Sequence, residues 1–89
     1  MKTVRRTSQF KQDAKRMERR GKDFALFKEI VRNLIAEQAL DLKYRDHALL
    51  GQYQGTRECH IEPDWLLVYE LTQHEVVLIR TGSHADLFD

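Results

Sequence analysis

The sequence has little of what stabilises secreted or membrane proteins. Cys59 is the only cysteine among 89 residues, so no disulfide can form within the chain, and a reducing compartment, the cytoplasm, is expected. The apolar runs last only a few residues, which is too short to span a bilayer. Residues 1–22 contain no apolar segment typical of a signal peptide. We therefore expect one cytoplasmic domain, residues 1–89, without a membrane partner.

Charge is distributed unevenly along the chain, although the formal net charge is only +1. Residues 1–22 contain nine basic and two acidic side chains, and the rest of the chain contains six basic and twelve acidic ones. A basic end of this density attracts nucleic acid or an acidic protein, or is simply a solvated helix surface.

Helical periodicity dominates the first part of the chain after a short alternating segment, residues 1–7, that predicts a strand. Ser8 is a candidate cap of a first helix, and Gly21 is a natural stop. Asp23 can cap a second helix. Its apolar stripe is strongly amphipathic and consists of Leu26, Phe27, Ile30, Val31, Leu34 and Ile35. The two helices are expected to form a hairpin.

The second part of the chain predicts a sheet. Residues 38–54 lack periodicity, and strands are predicted at 55–61, 65–71 and 75–81 with short connections that favour antiparallel pairing. Pro63, the single proline, falls between two strands, where its missing N–H breaks no ladder. The predicted fold class is α+β: an N-terminal strand and a helical hairpin packed on one face of a small antiparallel sheet.

Histidines near arginine and carboxylates are the chemically distinctive residues of the predicted sheet. Period-two alternation places Glu58 and His60 on one face of their strand, opposite Cys59 and Ile61. The same alternation predicts that Arg80 shares a face with Val76 and Leu78. An imidazole exchanges protons near neutral pH, and arginine binds phosphate through a fork of donors. These residue types together indicate proton transfer on an anionic substrate.

Each candidate also has a structural interpretation. His47 could be a loop residue, His60 a half-buried histidine, and Arg80 an ion-pair partner of Glu58. Asp64 is either an ordinary turn residue or a carboxylate that orients a histidine. Trp65 fits the core better than a site, and Phe88 suits either role. A zinc site is disfavoured because metal-ligand spacings such as His-x-His are absent from the sequence.

Three sequence blocks resemble those of YafQ-type toxins, which belong to the RelE/ParE superfamily of bacterial type II toxin–antitoxin systems. The blocks are RDHAL at 45–49, RECHIEPDWLLVY at 57–69 and RTGSHADLF at 80–88. The resemblance covers essentially the whole chain and implies a RelE-like domain. Tyr53, Gln54 and Ala85 depart from residues common in the family, and Asp89 extends past its usual terminal phenylalanine.

The resemblance implies a ribosome-dependent endoribonuclease that cleaves mRNA in the ribosomal A site without a metal or other cofactor. In such an enzyme the ribose 2′-OH attacks the adjacent phosphate. By position, the acid–base group consists of His47, His60, Asp64 and His84. His84 is assigned as general acid and His60 or His47 as base, and Glu58 is assigned an orienting role.

The substrate contacts implied at the same positions are a phosphate clamp and an aromatic contact, Arg80 and Phe88. The basic first helix, with Arg16, Arg19 and Arg20, suits the phosphates of ribosomal RNA and mRNA.

The family further implies a cognate antitoxin, usually of the ribbon–helix–helix type, and contact with operator DNA only through the toxin–antitoxin complex. Two other functions compete with the enzyme: a non-enzymatic poison of gyrase, as in the ParE branch, and a small nucleic-acid-binding module.

His74 is predicted to lie at a hairpin tip without a functional role. We expect His74→Ala to arrest bacterial growth on induction as fast as the unchanged protein, because an exposed turn residue contributes to neither core nor site. Induced growth curves measure this, and strong inactivation would contradict the hairpin-tip assignment.

Overall fold

The computed structural model describes residues 1–88, and Asp89 lies outside them. The chain forms a sheet of five strands and three helices, with short 3₁₀ turns at Leu42–Tyr44 and Gly51–Tyr53. In chain order the elements are β1 (Thr3–Arg6), α1 (Ser8–Arg19), α2 (Ala25–Ile35), β2 (His47–Ala48), β3 (Arg57–Glu62), β4 (Trp65–Leu71), β5 (Glu75–Gly82) and α3 (His84–Phe88). Within residues 1–88, no helix is long and apolar enough to cross a membrane. The predicted helices and late strands are confirmed to within two residues.

Helix α1 begins one residue earlier than predicted. Its cap is Thr7, whose hydroxyl accepts a hydrogen bond from the backbone N–H of Phe10 at 3.0 Å, whereas Ser8 is the first helical residue. The hydroxyl of Thr7 also donates to the carbonyl of Ile79, which ties the helix start to β5. Gly21 follows the helix with a φ of 82°, a left-handed conformation that glycine adopts without strain.

The sheet has the strand order β1-β5-β4-β3-β2. Strands β3 to β5 pair antiparallel as predicted. The segment predicted to be irregular contributes a further short strand, β2, antiparallel to β3, and β1 pairs parallel with β5, so the sheet is mixed. A parallel pair needs a long crossover, and here the connection between the two strands includes the whole helical hairpin. The α+β class is confirmed, with this one correction to the strand pairing.

Apolar side chains form two clusters on opposite faces of β4. The helices cover the first cluster, in which Met17 and Ile30 pack on Trp65, Leu67 and Tyr69. The second cluster is smaller and combines Leu66, Val68 and Leu87 with the partly buried Leu49, Tyr53 and Ile79. Because the second face carries only this small cluster, polar side chains have room beside it.

A β-bulge in β5 decides which way Arg80 points. Val68 pairs with Arg80 and the next residue, Tyr69, pairs with Leu78, so Ile79 is an extra residue in the ladder. The extra residue shifts the alternation by one position, and Arg80 lies on the face of Val68 while Leu78 faces the helices. The prediction that Arg80 shares a face with Val76 and Leu78 was therefore wrong.

Asp86 fastens α3 to α1. Its carboxylate accepts hydrogen bonds from Arg20 at 2.6 and 3.0 Å and from the backbone N–H of Ser83 at 2.8 Å, and the hydroxyl of Ser83 accepts from the N–H of Asp86. The last two bonds form a reciprocal helix cap. The bonds from Arg20 hold the pKa of Asp86 well below its usual range.

A carboxyl with a lowered folded-state pKa adds stability above its unfolded pKa, about 4, and that stability is lost as the pH falls. We expect Asp86→Asn to lower the Tm by about 5 °C at pH 7, the usual effect of a lost helix cap in a domain of this size. The difference should begin to shrink below about pH 4, because the unfolded chain then binds a proton at Asp86 that the folded protein, with its lower pKa, does not. Thermal melts by circular dichroism between pH 3 and 7 test this, and a difference independent of pH would argue against it.

Candidate active site

The candidate site lies on the face of the sheet that the helical hairpin leaves open. Strand register places His47 opposite Glu58, Glu58 opposite Val68, and Val68 opposite Arg80. Residues directly opposite each other project to the same face, so these four side chains form one row across the sheet. His60 belongs to the next row, opposite Leu66.

A buried carboxylate, that of Glu58, faces two of the histidines. Its Oε1 is 3.3 Å from Nε2 of His60 and 3.6 Å from Nε2 of His47, and its side chain is only 6% exposed. A charge this buried needs partners, and the two imidazoles supply them. Glu58 therefore lies within reach of both rings, and its orienting role stays a prediction.

His84 is held by the turn that precedes β4. Its ring Nδ1 is 2.6 Å from Oδ1 of Asp64, and its backbone N–H donates to the same oxygen at 2.9 Å. Both hydrogen bonds lower the pKa of Asp64 below its usual value, and the one from the backbone N–H has the larger effect. Of the two interpretations of Asp64, the structure therefore favours the carboxylate that orients a histidine.

The three imidazoles lie side by side. The ring centroid of His60 is 6.3 Å from that of His47 and 5.6 Å from that of His84. The sequence brings them from β2, β3 and α3, which are far apart along the chain. His74, by contrast, is exposed in the turn between β4 and β5, as predicted.

The segment before β2 fixes the position of His47. Arg45 has a left-handed backbone, with a φ of 51°, and its carbonyl lies 2.7 Å from Nδ1 of His47. Asp46 is bound by the guanidinium of Arg57 and by the hydroxyl of Tyr69. Burial and this hydrogen bond raise the pKa of Tyr69. The loop-like region therefore carries a histidine on a well-anchored backbone.

Arg80 pairs with Asp13 of α1, and the alternative pairing with Glu58 was wrong. Nε of Arg80 donates to Oδ2 of Asp13 at 2.7 Å, and Nη2 donates to Oδ1 at 3.3 Å. These hydrogen bonds raise the pKa of Arg80 above its usual value, and the nearby hydroxyl of Tyr53 adds to the effect. The guanidinium therefore carries its charge throughout the physiological pH range.

Asp13 is the residue that sequence reasoning missed. It is fully buried, although it belongs to a helix rich in charge. One signal was available: Asp13 follows Phe10 by three residues and precedes Met17 by four, so it occupies the apolar stripe of α1. A carboxylate in an apolar stripe predicts a buried cationic partner.

The predicted RNA-contact residues have different surroundings. Phe88 is 43% exposed and packs edge-on against Tyr53, with ring centroids 5.7 Å apart. Arg16 forms ion pairs with Asp13 and Asp86, and Arg20 with Asp86. Arg19 is exposed near the end of α1. Arg16 and Arg19 lie on α1, the helix that supports Arg80, and Arg20 directly follows it.

Two further residues have structural roles. Cys59 is completely buried on the helix side of β3, and burial raises the pKa of its thiol to about 12, so a Cys59–His60 nucleophile pair has no support. Trp65 is buried and donates its ring N–H to the hydroxyl of Thr81 at 2.8 Å, as a core residue does. Among residues 1–88, no three His, Cys, Asp or Glu side chains are grouped to hold a metal.

The sequence and fold of this chain have known counterparts. Residues 2–89 match a family described as the bacterial toxin of type II toxin–antitoxin systems, YafQ. The chain is thus a toxin of the type II class. It belongs to the YafQ family, as the three sequence blocks predicted.

Individual relatives and solved structures that are similar to this chain are toxins as well. The mRNA interferase toxin YafQ of Escherichia coli K12 is 40% identical over 83 residues, which are 92% of this chain and 90% of that protein. The toxin in the crystal structure of the E. coli DinJ–YafQ complex is 37% identical, with full coverage of both chains and a TM-score of 0.92. A metal-bound toxin from Helicobacter pylori is 41% identical, covering 99% of this chain and all of that one, with a TM-score of 0.92.

If Asp64 orients His84, its charge matters more than its size. We expect Asp64→Asn to slow RNA cleavage by about 10- to 100-fold, because a neutral amide supports an imidazolium less well and can turn its NH₂ towards the ring. Single-turnover cleavage measures the loss. Asp23→Asn is the matched control: the N-cap of α2 is Phe24 rather than the predicted Asp23, whose side chain only accepts the N–H of Ala25, a bond that an asparagine oxygen also accepts. Equal rates for the two variants would contradict the orienting role.

Proposed function

We propose that the chain is a ribosome-dependent mRNA interferase, an endoribonuclease that cleaves mRNA in the ribosomal A site by histidine acid–base catalysis without a metal. The observation that carries the proposal is the placement of three adjacent imidazoles and a braced arginine on one open face. The name of the E. coli relatives, mRNA interferase toxin, supports the same activity.

The first step is attack of the ribose 2′-oxygen on the adjacent phosphorus, while a base removes the 2′-OH proton. His60 suits the role of base. Since its Nε2 faces the carboxylate of Glu58, that nitrogen carries the proton, and the lone pair of the neutral ring is on Nδ1. In His47 the Nδ1 proton is donated to the carbonyl of Arg45, and Nε2 faces Glu58. His60 therefore has the more available lone pair.

The second step breaks the bond from phosphorus to the 5′-oxygen, which needs a proton. His84 suits the role of acid because the carboxylate of Asp64 binds its Nδ1–H and stabilises the imidazolium, leaving Nε2–H to be donated. The products are a 2′,3′-cyclic phosphate and a 5′-hydroxyl. The transfer uses no water molecule, and the proposed mechanism assigns no step to a metal.

Negative charge increases on the phosphate oxygens between these two steps. Arg80 is the cation placed to stabilise it, because its guanidinium is held at one edge and has further N–H donors at the other. Phe88 and Tyr53 offer aromatic surfaces for a base next to this phosphate. The exposed basic side chains of α1, Lys11, Lys15 and Arg19, suit contact with ribosomal RNA.

A cognate antitoxin is the expected protein partner. The E. coli relative is found in a complex with DinJ, and we propose an analogous antitoxin here, of the ribbon–helix–helix type, that covers the open face. Operator DNA is then contacted only through that complex. A ribosomal target places the toxin in the cytoplasm.

Two other functions predict different behaviour. A gyrase poison would need neither the imidazoles nor Arg80, and a nucleic-acid-binding module would keep its affinity when the histidines are removed. The tight grouping of proton donors and acceptors favours the enzyme over both.

The decisive experiment is cleavage of mRNA on programmed ribosomes. We expect the unchanged protein to cut at the A site and to leave a 2′,3′-cyclic phosphate, and we expect His84→Ala to be slower by about 100-fold or more. His74→Ala is the matched control, because it removes an exposed imidazole from a distant turn. Failure of the unchanged protein to cut, despite toxicity in cells, would overturn the proposal.

Metal dependence needs a separate arm, since ribosomes require magnesium and one solved relative is a metal-bound toxin. Free RNA at high enzyme concentration, with and without EDTA, serves this purpose. We expect cutting to continue in EDTA at an unchanged rate. A loss that added zinc or copper restores would contradict the metal-free mechanism.

A further inference from the structure

Asp13 has an unusually complete set of hydrogen-bond donors. Its side chain is fully buried, and its two oxygens accept from Gln9 at 3.2 Å, Arg16 at 2.9 Å, the backbone N–H of Thr81 at 3.2 Å, and Arg80 at 2.7 and 3.3 Å. A buried carboxylate costs several kcal/mol unless its oxygens are satisfied in this way. Asp13 can therefore be buried at this position only together with the arginines that bind it.

The location of Asp13 follows from the edge of β5. Strand β1 ends opposite Leu78, so the rest of that edge has no strand partner. Helix α1 takes its place: Thr7 donates to the carbonyl of Ile79, and Asp13 accepts the N–H of Thr81. Asp13 thus meets Arg80 from the edge of the sheet, behind the open face.

The contact fixes the plane of the guanidinium. Arginine has five N–H donors, and Asp13 binds the edge formed by Nε and Nη2. The opposite edge, with Nη1, is directed away from the carboxylate. A long side chain that is held at one edge loses little further freedom when a phosphate binds the other.

Arg16 prevents Asp13 from cancelling the charge of Arg80. Arg16 and Arg80 bind the same carboxylate, so the group of three keeps one net positive charge. Asp86 and Arg20 form a neighbouring pair that is neutral by itself. A carboxylate shared by two arginines can orient one of them and still leave a cation for the substrate.

From this arrangement we infer that Asp13 is a positioning residue for RNA cleavage, which acts by holding Arg80 with its free edge towards the scissile phosphate. The inference rests on the proposed function, because the substrate of Arg80 is the phosphate of that reaction. The competing interpretation is purely structural: Asp13 attaches α1 to β5, and any loss of activity would come from a loosened fold.

A double-mutant cycle separates the two interpretations. Cleavage on programmed ribosomes is measured under single-turnover conditions for the unchanged protein, Asp13→Asn, Arg80→Ala and the double variant. We expect Asp13→Asn to lower the maximal rate about 10- to 100-fold, with half-saturating concentration changed less than about threefold. In the Arg80→Ala background the same substitution should cost less than about twofold, because residues that act through one another are not additive.

If Asp13→Asn lowered the maximal rate equally in the unchanged protein and in Arg80→Ala, the inference would be overturned. It would also be overturned if Asp13→Asn changed only the half-saturating concentration. Should Asp13→Asn fail to fold, Arg80→Lys gives a second test. A lysine ammonium paired with Asp13 has no second edge, so we expect a loss of at least about tenfold. A rate equal to that of the unchanged protein would overturn the inference.

The inference can also be tested apart from activity. In ¹H–¹⁵N spectra the Nε–H signal of Arg80, assigned from its absence in Arg80→Ala, should be protected from solvent exchange in the unchanged protein. Asp13→Asn should increase its exchange about tenfold or more. An unchanged signal would refute the positioning of Arg80 by Asp13 whatever the activity, whereas a failure of the unchanged protein to cut RNA would refute the proposed function on which the inference rests.

Discussion

The ion pair between Asp13 and Arg80 joins the two halves of the molecule. It connects a helix from the basic N-terminal part to the last strand of the sheet, at an edge that no strand covers. Without the carboxylate, both the N–H of Thr81 and the guanidinium would need other partners in a buried place. Arg80 belongs to β5 and is bound at one edge by Asp13, so the position of its guanidinium on the open face depends on this contact.

Much of the architecture follows from local pattern. Helical spacing in residues 26–35 and apolar runs in β4 and β5 predicted elements that the structure contains nearly to the residue. The three histidines of the candidate site were also accessible, because each belongs to one of the three recognisable blocks. Local pattern succeeds here because the side chains that one face of a helix or strand buries recur at a fixed spacing in the sequence.

What local pattern missed depends on contacts between distant segments. The bulge at Ile79 reverses the face of Arg80, yet the continuous apolar run at 76–79 gives no sign of it, because both faces of that strand are apolar. The parallel pairing of β1 joins residues about 70 positions apart. Asp13 looked like one more charge on a basic helix, since its meaning comes from a partner at the other end of the chain.

Strand β5 lies between β1 and β4 in the sheet, so the sheet can close only after β5 has been synthesised. Strand β1 pairs with β5, so the first strand stays unpaired until residues 75–78 have been synthesised. Arg80 and His84 belong to that same late segment. A growing chain therefore lacks both the finished sheet and two residues of the candidate site until β5 and α3 have been made. The whole candidate site, including the earlier His47 and His60, is therefore assembled only when β5 and α3 take their places.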